Sequence, residues 1–452
     1  MNIRKNIYVS IDLGTTFTKI SVFSKSLKKM EENNFLTPYI KFGVFDIGDL
    51  ERKLEMYLLN VIKNYGDFNI NLTFTTAHNS LILLNENNQI IFAPMNILYE
   101  DFELLNVSLN DAIQLNKITG MIYGHHLPLA KLCFIKNDPN FKFVNKIHTL
   151  KSYLLKKIFN IDGIDYLEAA GLGLLDIEQK YWSKWCIENF LNFSYDVLLY
   201  KLPNLKTENE VFEIIWNNKT INITLGLVDG FAAHYYSKCV LNSDILSINI
   251  GTTSACRINT DSQIYNRDNF RMLTNFLKIT GYANNNGGNN LYEYAKINNI
   301  EMNYNNFENA VKLIKKENFY YPNIYKERFY LEQKNEDLRK LKNENLSLES
   351  VSLGILFKII YQSNLLLDLN NDVKVFVSGG FFNNVFLLKV LSSILKKDIY
   401  VCQDNISQLG AILYSWPDVK HHCQNNFEKI VYKKLFYINN LYEEWLKANN
   451  LS

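Results

Sequence analysis

The chain is short of several things, and each shortage rules something out. Its six cysteines, Cys133, Cys186, Cys239, Cys256, Cys402 and Cys423, include no CxxC pair, so neither a disulfide framework nor a zinc ribbon is written into it. Cys423 stands beside His421 and His422, but no second ligand cluster at zinc-site spacing accompanies them. Neither sign of charge dominates. The 48 Lys plus Arg stand against 46 Asp plus Glu, a net +2, which gives no global pull toward nucleic acid or an anionic membrane. No uninterrupted apolar stretch has the length of a bilayer span, and Met1–Asn6 runs straight into the strand-like Ile7–Ile11 with no apolar signal core. There is no Pro- or Ser-rich linker. The expectation is a cytoplasmic protein, monomer or homodimer, whose partners are small molecules and neither nucleic acid nor membrane.

What is present starts with size. The 452 residues, 47% hydrophobic and 21% charged, suit a soluble globular chain too long for one ordinary domain and comfortable for two. An internal echo supports two. Ser10-Ile11-Asp12-Leu13-Gly14-Thr15-Thr16 recurs as Ser247-Ile248-Asn249-Ile250-Gly251-Thr252-Thr253. Each copy ends an apolar strand, turns at Gly-Thr-Thr and enters a second strand, Thr18–Phe23 and then Ser254–Ile258. A duplicated domain accounts for both the length and the echo. The boundary is expected near Asn242, dividing the chain into 1–242 and 243–452, with the halves abutting across a cleft. Periodicity predicts helices at Leu150–Phe159, Trp182–Asn192, Leu291–Ile297, Phe307–Lys316, Ser350–Leu366 and Val385–Leu395, and a strand at Val373–Val377. The polar run Glu332–Ser347 reads as an exposed loop or insertion.

Four short segments carry chemistry. In Asp12-x-Gly14-Thr15-Thr16, the glycine permits a sharp turn on which amides and threonine hydroxyls converge on phosphate oxygens. The aspartate at the strand end is placed to hold a hydrated Mg²⁺ facing them. The second copy has Asn249 in place of Asp12, as one shared metal requires. An ordinary hairpin is the plain alternative for either copy. Gly226-Leu227-Val228-Asp229-Gly230 precedes a small helical run, and Asp229 there could take the proton of an attacking hydroxyl; on local sequence alone it reads better as a helix cap. Ser378-Gly379-Gly380-Phe381-Phe382-Asn383-Asn384 is a strand end, a glycine pair and a helix start, where a phosphate or flat ligand can approach the backbone.

In this order, from Ile7 to Tyr414, the segments resemble the FGGY carbohydrate kinase family, and within it the gluconate kinase branch. Asp12–Thr16 is similar to the family's first phosphate motif, Asn249–Thr253 to the second, and Gly226–Gly230 to the segment of the catalytic base. Ala169-Ala170-Gly171-Leu172-Gly173-Leu174-Leu175-Asp176 with Trp182 matches a further family stretch. Ser378-Gly379-Gly380 with Asn384, and Ser407-Gln408-Leu409-Gly410-Ala411, fall in the expected adenosine-binding half. Thr119-Gly120, Pro128-Leu129-Ala130-Lys131, Asn284-Asn285-Asn286-Gly287-Gly288, Arg257 after the second turn, and Pro322 with Glu327-Arg328 point to the gluconate branch, although Lys326 replaces its glycine.

The resemblance implies an α/β fold of two ribonuclease-H-like, actin-type domains with ATP and Mg²⁺ in the cleft. The first would carry the substrate site, the first phosphate motif and the base, and the second the other phosphate motif and the adenosine site. It implies Asp229 as base, Asp12 at the metal, and Gly14, Thr15, Thr16, Lys19, Gly251, Thr252, Thr253, Gly379, Gly380 and Asn384 around ATP. His78 and Glu100, with Asp229, would face a sugar, sugar acid or polyol. The family's Trp-x-Asp-x-Arg-like sugar-binding stretch is here Leu98-Tyr99-Glu100-Asp101-Phe102, without tryptophan or arginine, and His234 replaces an asparagine. A gluconate-like substrate is favoured; xylulose, glycerol or another polyol, a catalytically silent sensor, and an actin-like or chaperone ATPase stay open.

Overall fold

The computed structural model describes residues 5–262, 268–302, 306–328, 341–402, 406–422 and 427–451. Two mixed sheets organise it. The first is built from β1 (Asn6–Leu13), β2 (Phe17–Ser24), β3 (Lys29–Leu36), β4 (Asn69–Thr76), β5 (Val211–Trp216) and β6 (Lys219–Thr224) in the order β5-β6-β4-β1-β2-β3, with β7 (Leu227–Val228) pairing β4. The second comprises β8 (Ile245–Ile250), β9 (Ser254–Asn259), β10 (Phe270–Leu273), β11 (Lys278–Asn284), β12 (Lys374–Ser378), β13 (Ile399–Val401) and β14 (Glu428–Ile430) in the order β10-β11-β9-β8-β12-β13-β14.

Laid side by side, the sheets are copies. β1 pairs β2 antiparallel and β4 parallel, and β8 likewise pairs β9 antiparallel and β12 parallel. Outward from these centres, β6 and β13 continue parallel and β5 and β14 close antiparallel. The echo in the sequence is thus an echo in topology, with both Gly-Thr-Thr turns joining the central hairpin of a sheet. The hairpin and the phosphate-loop readings of those turns are compatible.

Helices cover the sheets for ordinary reasons of spacing. α1 (Ile47–Tyr65) buries Ile47, Leu50, Leu54, Leu58 and Val61, one stripe at helical period, and Asp46 caps it by accepting the Asp49 amide. It packs with α2 (Leu150–Phe159), opened by a Thr149–Ser152 capping box. The short α3 (Tyr166–Gly171) follows. In the second half, α5 (Gly288–Asn298), α6 (Leu348–Leu367) and α7 (Val385–Leu395) pack with β8 and β12 in a single core. α6 is long and apolar enough to cross a bilayer by composition, and most of it is packed inside that core.

Two further helices join the halves. α4 (Asp229–Leu241) follows β7 of the first sheet, yet His234 on it shares a 2.7 Å hydrogen bond with Ser247 on β8 of the second. α8 (Ile406–Ser415) follows β13 of the second sheet and packs on β1 and β4 of the first. Its Gln408 donates to the Ser10 carbonyl and accepts from the Ser21 hydroxyl, while Ser415 bonds Thr73 and Thr224. The helices touch backbone to backbone: a Cβ on Gly410 would lie 1.9 Å from the Ala232 carbonyl oxygen. The Ser407–Ala411 segment is therefore an inter-half clamp.

Several elements depart from their sequence outlines. Trp182–Asn192 begins as a strand at Tyr181–Trp182, becomes helical at Lys184–Cys186, and ends in a π turn at Ile187–Leu191. The helix expected at Phe307–Lys316 stops at Val311. Of Glu332–Ser347, the part through residue 340 lies outside the described residues, as do Cys423 and the side chains of His421 and His422. The other five cysteines are free.

Beneath α3 lies a buried charge group. Lys151 pairs with Asp165 at 2.8 Å and faces Glu168 at 3.9 Å, and the Tyr414 hydroxyl of α8 reaches Glu208 at 3.4 Å. Burial and the charge of Asp165 push Glu208 up to about 7, with Lys151 opposing. A carboxyl whose pKa rises on folding favours the native state below that value and loses this advantage as pH climbs through it. Glu208→Gln should match the parent below pH 4.5, where the unfolded carboxyl is also protonated, and exceed its stability at pH 8 by on the order of 1–3 kcal/mol, read by denaturant titration; a pH-independent difference would contradict this. Gly410→Ala should lower stability by about 1–3 kcal/mol, despite the better helix propensity of alanine, because the helix crossing must open. An unchanged midpoint would show that the crossing yields freely.

Candidate active site

Between the halves lies a cleft of about 450 Å³, lined from both sides. Asp12, Gly14, Thr15, Lys19, His78, Asp229, Thr253 and Gly379 line it, together with Asn79, His126, Arg257 and Arg328. Thr16, Gly251, Thr252, Gly380, Asn384 and Glu100 are not among the lining residues. Thr16, Gly251 and Thr252 complete the two turns, Gly380 begins the short helical turn after β12, and Glu100 is exposed, outside the cleft lining.

The turns owe their shape to what packs beneath them. The Gly14 amide donates to the Phe17 carbonyl, and the Thr37 and Tyr39 hydroxyls donate to the carbonyls of Gly14 and Thr15. In the second turn the Gly251 amide bonds Thr253, and the Gly288 and Asn289 amides bond the Gly251 and Thr252 carbonyls. Gly287 and Gly288 press so closely on this turn that added Cβ atoms would lie 2.5 and 2.6 Å from its backbone. The Asn284–Gly288 run thus serves the second turn from behind. Gly379, at φ +105 with the Ile250 carbonyl 2.3 Å from any Cβ, must be glycine for β12 to end beside β8.

The strand ends keep their symmetry in side chains. Asp12 faces Thr75 across β1–β4 and accepts its hydroxyl at 2.8 Å; Asn249 faces Ser378 across β8–β12 and donates to it at 3.0 Å. Asp12 is pushed up to about 6 by burial and by the charge of Asp229, with Thr75 and Lys19 pulling the other way. Burial also raises Asp229, against the guanidinium groups of Arg257 and Arg328. Two carboxylates crowded into one dry crevice are short of positive charge. That deficit fits a divalent cation at Asp12, held by one carboxylate with water and phosphate oxygens completing its shell. No group of three acidic, histidine or cysteine side chains ready to hold a metal exists among the described residues.

Asp229 is the first residue of α4 and does not cap it. The cap position is Val228, and the carboxylate instead accepts its neighbour Gly230's amide at 2.6 Å. The cap reading of Asp229 is therefore corrected: its side chain lines the cleft. Arg257 on β9 lies against Gly230, where a Cβ would come 2.3 Å from a guanidinium nitrogen, and stacks 5.7 Å from the Phe270 ring centre. His234 is buried and does not line the cleft; burial and the nearby Arg257 hold its imidazole down to about 3.

At the other end, His78 donates through Nε2 to the Leu167 carbonyl at 2.8 Å, which leaves Nδ1 as an acceptor. Burial holds it down to about 4, a neutral ring. Behind it, Lys131 is fully buried, donating to the Asn96 and His126 carbonyls, and burial lowers it to about 7. Arg257 and Arg328 carried no site role in the sequence reading, although both stand in motifs it singled out. His126 and Asn79 carried none either. Nothing local marks a residue as facing a cleft that two distant segments build.

Residues 7–230 match the family profile described as "FGGY family of carbohydrate kinases, N-terminal domain". No curated protein sequence matches the chain. Among solved structures, a ligand-bound xylulose kinase and a gluconate kinase, both from Lactobacillus acidophilus, each superpose with a TM-score of 0.81 at 18% identity, covering 98% of this chain and 96% of theirs. Plasmodium falciparum glycerol kinase with ADP superposes at 0.76 with 15% identity, covering 99% of this chain and 98% of its own. The fold is thus the two-domain α/β architecture of FGGY sugar kinases, the actin-like ribonuclease-H type. Residues 7–230 thus match the N-terminal domain of the FGGY family of carbohydrate kinases, and the whole chain shares the fold of solved FGGY sugar kinases, which supports a phosphotransferase acting on a sugar hydroxyl.

Proposed function

We propose that this kinase transfers the γ-phosphate of ATP to a hydroxyl of a gluconate-like sugar acid, with Asp229 as the base. The observation that carries the reading is the meeting of Asp229 and Asp12 in one cleft, each half-buried and with Asp229 raising the proton affinity of Asp12. Phosphoryl transfer asks mainly for alignment and charge neutralisation. In this reading Gly14–Thr16 and Gly251–Thr253 hold the phosphates by backbone amides and hydroxyls, and Lys19 adds a positive charge beside the first turn. Gly379, Gly380 and Asn384 serve the nucleotide's other end. Asp12 would hold Mg²⁺, which supplies charge neutralisation on the phosphates when bound.

Asp229 then accepts the proton of the acceptor hydroxyl, with Arg257 keeping its charge bearable in the dry cleft. His78 faces the sugar, and its neutral Nδ1 accepts from a hydroxyl. The halves 1–242 and 243–452 work as the closing units, and closure about the α4–α8 crossing excludes water that would compete as acceptor. The free cysteines and the use of ATP support a cytoplasmic setting.

Asp229→Ala should reduce turnover with sugar by about 10²–10⁴-fold while nucleotide binding persists. In the parent, kcat/KM should fall as pH drops through a pKa above the usual carboxylate range, since burial raises Asp229 and only its ionised form is a base; the variant should lack that limb. Near-parental turnover in Asp229→Ala would remove it from the mechanism. Asp12→Asn should raise the Mg²⁺ concentration for half-maximal activity by roughly 10–100-fold, and an unaltered Mg²⁺ dependence would dismiss Asp12 as its holder.

A further inference from the structure

Three strongly basic side chains line the cleft: Lys19, Arg257 and Arg328. Lys19 stands beside the first phosphate turn, and Arg257 lies against the backbone at Asp229. Arg328 is the third, and it lies in the field of Glu327, Asp229 and Glu100. It enters the cleft from the segment after Pro322, beside the lining residues His78 and His126, and its charge is felt at Glu100, His78 and His126.

The surroundings of Arg328 hold it in place, and no carboxylate forms a direct ion pair with it among the described residues, although Glu327, Asp229 and Glu100 act on it through their charge. Its neighbour Glu327 is 3% exposed and committed elsewhere: Lys358 pairs with it at 2.8 Å, and the Asn285 amide and the Asn286 side chain donate to it at 2.8 Å each. Asn285 also donates to the Lys326 carbonyl and accepts the Arg328 Nε at 2.8 Å. The asparagine run behind the second phosphate turn therefore aims a guanidinium into the cleft with its terminal nitrogens uncommitted among the described residues. Across the cleft, Asn79 is 7% exposed, lines the cavity, and its side-chain oxygen has no partner. A buried amide oxygen of that kind calls for a donor such as a sugar hydroxyl.

We infer that Arg328 is the receptor for a carboxylate on the acceptor substrate, oriented by Asn285, with Asn79 accepting a hydroxyl of the same molecule. A planar fork with two parallel donors matches a carboxylate better than it matches a hydroxyl. This assignment rests on the kinase reading above and names its substrate class: a linear sugar acid. The arginine missing from Leu98–Phe102 in the first half is thus replaced from the opposite wall. Recognition of the acid then requires both halves, so a neutral sugar leaves the second half without that contact.

The test compares the full chain with Arg328→Gln, Arg328→Lys and Asn285→Ala, using D-gluconate and its neutral counterpart D-glucitol, read by ADP release and by calorimetric binding. The parent should prefer the acid. Arg328→Gln should lower the ratio of kcat/KM for gluconate over glucitol by about 10–100-fold, carried by KM. Arg328→Lys, which keeps the charge and loses the fork, should lower it less, and Asn285→Ala should shift the same ratio in the same direction. A parent that prefers glucitol, or an Arg328→Gln variant whose ratio is unchanged, overturns the inference and leaves the kinase reading intact. If no sugar is phosphorylated, calorimetry decides: gluconate binding lost in Arg328→Gln sustains the receptor while the kinase reading fails, and absence of binding to the parent overturns it.

Discussion

Everything at the cleft depends on one steric fact, the backbone contact of α4 and α8 at Ala232 and Gly410. Each helix belongs by sequence to one half and by packing also to the other. α8 is tied to β1 and β2 through Gln408 and to β4 and β6 through Ser415, while α4 is tied to β8 through His234 and Ser247. Ser10 and Ser247 hold the same place in the two echoed strands, so each central strand meets one of the crossing helices. The result is that β1 and β8 end at one crevice, where ligands of open α/β sheets commonly bind.

Once the strand ends face each other, electrostatics follows from dryness. Asp12 and Asp229 are partly withdrawn from water, and the charge of Asp229 acts on Asp12, so their ionised forms are disfavoured, with Lys19 opposing at Asp12 and Arg257 and Arg328 opposing at Asp229. The substitution of Asn249 for Asp12 in the second copy is part of the same balance: Asn249 keeps the cross-strand hydrogen bond, to Ser378, without adding a third carboxylate.

The second half also shows how one loop serves two tasks. Gly287 and Gly288 support the phosphate turn by close backbone contact, and Asn285 and Asn286, just before them, hold the Tyr325–Arg328 segment through side-chain amides. The second Gly-Thr-Thr turn and the Tyr325–Arg328 segment are therefore joined by four consecutive residues.

Much of this was legible in the residues themselves. The repeated Ser-Ile-Asx-x-Gly-Thr-Thr, each copy between two apolar strands, announced the duplicated sheet, because turn chemistry and apolar alternation act over a few residues and are readable there. Leu150–Phe159 and Val385–Leu395 were bounded correctly, since their caps and apolar spacing are equally local. Trp182–Asn192 was misjudged: its helical spacing continues through a strand pair and a π turn that tertiary packing imposes. Asp229 read locally as a cap, and only the approach of β9 and the crossing of α4 with α8 turned it toward the cleft. Arg257, Arg328, Asn79 and His126 became neighbours for the same reason. Sequence by itself determined the strands, turns and helices, whose causes lie within a few positions; which distant side chains share a crevice was decided by helix crossing and loop anchoring, interactions that no local pattern records.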